Sequence, residues 1–142
     1  MCRHRFGVLN DLHNELVAEG ITDIHFMGMN GFQYINDSNG CMLCDQPDLC
    51  SNCEGIRHLP WTQDYDDGFN CTGDNDGLCE ADDTLGDVWD MWDVTLRDLV
   101  ILDRNGRYVT RINLTATNPD PSSTCGQNYD TIKELLISIR NQ

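Results

Sequence analysis

Positive charge is scarce in this chain, and the scarcity removes whole classes of partner. The 142 residues hold 9 Lys and Arg against 24 Asp and Glu, a formal charge of -15. Such a field repels polyanions at long range, so nucleic acid and anionic membrane surfaces are poor partners and cations are better ones. Long apolar runs are also missing, and none approaches the roughly 20 residues a spanning helix needs. No Ser-His-Asp order, Gly-rich phosphate loop or paired-carboxylate motif points to hydrolysis or phosphoryl transfer. No signal peptide is visible, because Met1-Cys2-Arg3-His4-Arg5 runs straight into an amphipathic pattern.

What is present is cysteine. Eight cysteines in a chain of this length mean metal in a reducing compartment and disulfides in an oxidising one. Sequons at Asn36, Asn70 and Asn113 add a little weight to the oxidising side. The expected location is therefore secreted or periplasmic. With 39% hydrophobic residues, the chain has enough apolar surface for a real core. Its length suits one α/β domain over residues 1–142, with a cysteine-rich and acidic insert at 30–84.

The periodicity predicts the order of elements. Phe6, Leu9, Leu12 and Leu16, with Val17, form one helical stripe, and Gly20 stands where a C-cap is expected. Ile21 to Met29 reads as a strand. From Asn30 to about Thr84 no period persists; a stretch that long in a compact domain is stapled, ion-bound or functional. Val88, Trp89 and Trp92 suggest a short helix. Leu99-Val100-Ile101-Leu102 reads as a strand covered on both faces. Arg104-Asn105-Gly106-Arg107 is a hairpin turn, and Tyr108 to Ile112 is the returning strand. A final helix is expected with Asn128 as its cap, Asp130 in its first turn, and Ile132, Leu135, Leu136 and Ile139 as its buried stripe.

Two clusters in the insert carry chemistry. Cys41, Cys44, Cys50 and Cys53 form paired Cys-x-x-Cys knuckles. Their separation is short for a zinc ribbon, so disulfides lead, for instance Cys41 with Cys53 and Cys44 with Cys50; zinc is the alternative. The stretch from Asp64 to Asp93 is acidic, and Asp74-Asn75-Asp76-Gly77 resembles the start of a calcium loop. No glutamate closes it at the position an EF-hand requires. A solvated acidic loop pinned by Cys71 and Cys79 is the plainer account, with calcium on Asp74, Asn75 and Asp76 as the alternative. No cofactor is required by either account.

The combination of Leu59-Pro60-Trp61-Thr62-Gln63-Asp64, Asp87-Val88-Trp89-Asp90 and Arg97-Asp98-Leu99-Val100-Ile101-Leu102-Asp103-Arg104-Asn105-Gly106-Arg107 resembles the N-terminal domain of selenoprotein P and related bacterial redoxin-type domains. The resemblance runs from about Trp61 to the C-terminus and takes in the first helix. It implies a thioredoxin-like fold that lacks its first strand, and a thiol or selenol redox activity. Cys2 matches the second position of the Cys-x-x-Cys or selenocysteine-x-x-Cys motif and is implied to be the resolving residue. The attacking residue would precede Met1, so the natural start is expected upstream and the chain as written is expected to be nearly inactive. Arg97-Asp98 stands where thioredoxins keep a proline. A protein partner or a second copy could fill the missing-strand gap, and the implied substrate is an oxidised protein or small molecule. The competing class is a non-enzymatic, disulfide-stapled binding module whose insert takes calcium or zinc.

Overall fold

The computed structural model describes residues 2–35, 39–45, 50, 53, 55–65, 88–89 and 92–142. Its elements are α1 (Cys2–Ala18), β1 (Gly28–Asn30), a 3-10 turn (Phe32–Tyr34), α2 (Gly40–Leu43), β2 (Trp61–Gln63), β3 (Asp98–Leu102), β4 (Tyr108–Asn113), a second 3-10 turn (Thr124–Gly126) and α3 (Gln127–Arg140). Helices and small sheets mix, so the fold is α/β. The chain divides into two compact units, Met1–Phe26 with Leu96–Gln142, and Met27–Thr95.

In the first unit α1 buries Phe6, Leu9, Leu12 and Leu16 as its spacing predicts, and Val8 joins them. Full burial of side chains such as Leu12 and Leu16 contributes about 1.5–3 kcal/mol each. Val17 is 43% exposed, because it lies one helical step beyond Leu16 and so turns off the buried face in the last turn. The helix ends as a Schellman motif. Gly20 adopts φ +83, its N–H reaches the Val17 carbonyl at 3.0 Å, and the Ile21 N–H reaches Leu16 at 2.9 Å.

Strand β3 pairs antiparallel with β4, Leu99 opposite Ile112 and Ile101 opposite Thr110. Gly106 alone supplies a positive φ (+76) to the turn, and the Asp103 carboxylate does the rest. Its Oδ1 accepts the N–H groups of Asn105 (2.8 Å) and Arg107 (2.9 Å). Those bonds, the Arg107 N–H foremost, hold the Asp103 carboxyl below its ordinary range. The expected cover on both faces of 99–102 is not found. Only Ile101 is buried (4% exposed), while Leu102 is 38% exposed, as befits one strand of a two-stranded antiparallel ribbon.

Helix α3 buries Ile132, Leu136 and Ile139, and Leu135 is half-buried. Its N-cap is Gly126 at φ 82, not Asn128. Asn128 already lies inside the helix, where its Nδ2 donates to the Asn118 carbonyl at 3.1 Å. Lys133 Nζ reaches both Glu15 and Glu19 at 2.6 Å, and the Tyr129 hydroxyl donates to Glu15. These bonds, Lys133 first, lower the Glu15 carboxyl. The pairs are exposed, so they set the pairing of α1 with α3 more than its stability.

In the second unit β1 runs parallel to β2, with Gly28 opposite Trp61. The strand expected over Ile21–Met29 is therefore only three residues, Gly28–Asn30, and its partner lies inside the stretch read as loop. Side-chain hydrogen bonds lock this short ladder. Asn30 Nδ2 donates to Gln63 Oε1 (3.0 Å) and to the Tyr34 carbonyl (3.0 Å), while Gln63 Nε2 donates to the carbonyl of Gly31 (3.0 Å). Gly28 is required by space: a Cβ there would sit 1.7 Å from the Trp61 ring. Gly28→Ala is expected to destabilise this unit by about 1–3 kcal/mol, read from denaturant unfolding followed by tryptophan fluorescence.

Candidate functional site

Cys2 is the first residue of α1, a helix of 17 residues with no acidic side chain in its first turn. The turn carries Arg3, His4 and Arg5. The Nε2 of His4 bonds the carboxylate of Asp120 in the segment leading to α3. Asp120 also accepts from the Ser122 hydroxyl (2.7 Å) and N–H (2.8 Å). The Ser122 hydroxyl, then His4, hold its carboxyl down at about 2. Since the folded pKa lies below the ordinary 3.8, this contribution to stability is present above pH 3.8 and lost as pH falls through about 2. The unfolding midpoint of wild type relative to Asp120→Asn is expected to fall across that window. An unchanged difference between the two proteins would show that the pair contributes nothing.

Arg5 escapes a reading based on apolar stripes. It is 8% exposed. It shares the buried face of α1 with Leu9, Leu12 and Leu16, at offsets of four, seven and eleven residues. Those offsets are the signal that could have found it. Among the described residues neither its Nε nor its Nη1 has a hydrogen-bond partner.

The second unit holds the cysteine cluster. Cys41 bonds Cys50 and Cys44 bonds Cys53, with Cα separations of 5.3 and 5.4 Å. The bridges are crossed, in place of the nested pairing Cys41–Cys53 and Cys44–Cys50. Helix α2 places Cys41 in its single turn, and Cys44 ends it at φ 56, so the two cysteines face different partners. The buried Arg57 clamps the turn, its Nη1 on the Met42 carbonyl (2.7 Å) and its N–H on that of Leu43 (2.9 Å). With all four sulfurs bonded to one another, none is a thiolate for zinc. Among the described residues no group of three His, Cys, Asp or Glu is arranged to hold a metal. Cys71, Cys79, Asp74, Asn75 and Asp76 lie outside the described residues.

Asp64 is 3% exposed and accepts three backbone N–H groups, from Tyr65 (2.9 Å), Val88 (3.2 Å) and Trp89 (2.9 Å). It thus caps the helical residues Val88 and Trp89, as an N-terminal carboxylate does. Cys125 is free and exposed, in a turn where Thr124, Cys125 and Gly126 all take positive φ. Arg97 also takes a positive φ (74), and its guanidinium donates to Thr115 Oγ1 at 3.1 Å. Of the sequons, Asn36 and Asn70 lie outside the described residues. Asn113 directs its Nδ2 to Asp98 (2.7 Å) and Leu96 (3.4 Å), bonds a glycan on that nitrogen would disturb. Among the described residues no helix is long and apolar enough to cross a membrane.

Comparison with protein families, curated proteins and solved structures finds no match to this chain.

Proposed function

We propose that this chain is an extracytoplasmic thioredoxin-like redox domain of the selenoprotein P N-terminal type. The observation that carries the reading is the placement of Cys2 as the first residue of α1. A thiol there feels the positive end of the helix dipole, which favours its thiolate. The residues of the family resemblance lend support, since Asp64 is hydrogen-bonded to Val88 and Trp89, joining two of its separate segments. In the mechanism, a thiolate or selenolate at the motif position three residues ahead of Cys2 attacks a disulfide of an oxidised partner. One partner thiolate leaves and a mixed disulfide forms. The Cys2 thiolate then displaces the second partner thiolate and closes the motif, so two electrons pass to the partner. An external dithiol reopens the motif.

The test extends the chain ahead of Met1 with a cysteine at that first position and measures disulfide reduction, with and without Cys2→Ser. Turnover by the extended chain, and a trapped mixed disulfide in the Cys2→Ser protein, are expected. A folded extended chain no faster than the free dithiol would reject the reading. The crossed bridges favour a second reading, a non-enzymatic module whose stapled insert presents Asp74, Asn75 and Asp76 to calcium. It expects a calcium-dependent rise in stability that disappears in a variant lacking those side chains.

A further inference from the structure

We propose that Arg5 and the first turn of α1 form a binding site for a small oxyanion, a phosphate or a carboxylate. Arg5 occupies a core position of α1, in line with Leu9, Leu12 and Leu16, yet carries a guanidinium. A guanidinium does not relieve its burial by losing a proton, so a buried one needs a counter-charge or acceptors. Among the described residues Nε and Nη1 have neither. Helical side chains lean toward the helix N-terminus, which directs Arg5 over the first turn. There the leading N–H groups of α1 lack helical acceptors and the dipole is positive.

The local charge agrees with an anionic ligand. Although the chain is strongly acidic, residues 2–10 contain Arg3, His4 and Arg5 and no acid; the first carboxylate along the chain is Asp11. Asp120 reaches this turn, but it bonds His4 and Ser122. A metal cation does not suit the position, because the guanidinium offers only donors. The net charge opposes long-range capture, so the ligand is held by short contacts and not steered to the site. This proposal stands whether or not Cys2 takes part in redox chemistry.

The experiment compares thermal unfolding of wild type and Arg5→Met in sodium phosphate, sodium acetate and sodium chloride at matched ionic strength, with amide shifts of residues 3–5 followed in the wild type. Wild type should gain stability with phosphate or acetate in a saturable way, and the amides of residues 3–5 should move. A response to phosphate alone assigns the site to phosphate-type anions, and a response to acetate as well extends it to carboxylates. Arg5→Met should melt higher than wild type in chloride, since an unpaired buried charge has been replaced by an apolar chain. It should also lose at least about tenfold in phosphate affinity. A lower melting point or failure to fold in chloride means Arg5 already has its partner, and overturns the proposal. So does a phosphate response that survives in Arg5→Met, or a wild type whose amides 3–5 do not respond.

Discussion

Opening both bridges of the crossed cysteine pair is expected to lower the stability of the Met27–Thr95 unit by about 4 kcal/mol. Each bridge closes a loop with a sequence separation of 9. Chain-entropy arguments give roughly 2.5–3 kcal/mol for a ring of that size. The two rings share most of their residues, so the second removes less freedom than the first and the sum falls short of double. Replacing only Cys41 and Cys50 by serine should therefore lose about 2–3 kcal/mol, and replacing all four somewhat more. Burial pushes in the same direction: Cys44 and Cys50 are 3% and 4% exposed, and a serine hydroxyl at either place needs an acceptor. Urea unfolding followed by tryptophan fluorescence, with and without reductant, measures the effect. Far-ultraviolet circular dichroism is the control, because α1 and α3 belong to the other unit. A loss below about 1 kcal/mol would mean that Arg57 and the packing of Leu59 hold the turn without the bridges.

The long-period elements were legible in the sequence, and the short ones were not. Leu12, Leu16, Ile132 and Ile139 recur at helical spacing over many residues, so a buried stripe could be read for α1 and α3. The 103–107 turn was legible through Asn105-Gly106, although the Asp103 side chain does as much to close it. By contrast β1 and β2 are three residues each, too short for any period to register. Their pairing rests on Gln63 and Asn30 side chains, which no pattern of hydrophobicity reports. The start of α3 was misplaced for a related reason: Asn128 is a good capping residue in general, but Gly126 at φ 82 already turns the chain. For the candidate site, paired Cys-x-x-Cys knuckles announce bridging without fixing which sulfur meets which. The crossed order follows from Cys44 ending α2 in a left-handed conformation. Arg5 was missed because stripe analysis looks for apolar residues, and the exception on the stripe is what matters there.

Asp64→Ala is expected to cost the same unit about 3–5 kcal/mol, the largest single-residue effect anticipated in it. The substitution leaves the N–H groups of Tyr65, Val88 and Trp89 without the carboxylate they now share. The Asp64–Trp89 bond is buried, so water does not readily replace the lost acceptor. Asp64→Asn keeps one acceptor oxygen and should lose about half as much. Trp89 is 8% exposed and provides the readout, since freeing its turn should shift its emission to the red. Because Gln63 Nε2 donates to the Asp64 carbonyl at 3.0 Å, a double-mutant cycle of Gln63→Ala with Asp64→Ala should show coupling beyond simple addition. If Asp64→Ala lost no more than about 1 kcal/mol, the cap would not be what ties Trp61–Tyr65 to Val88–Trp89 across the intervening chain. The Gln63-Asp64 pair is thus explained as a structural tie between distant segments. It follows that the family-like residues around it testify to how this unit is held together, and that the chemistry has to be sought at Cys2 and Arg5 on α1.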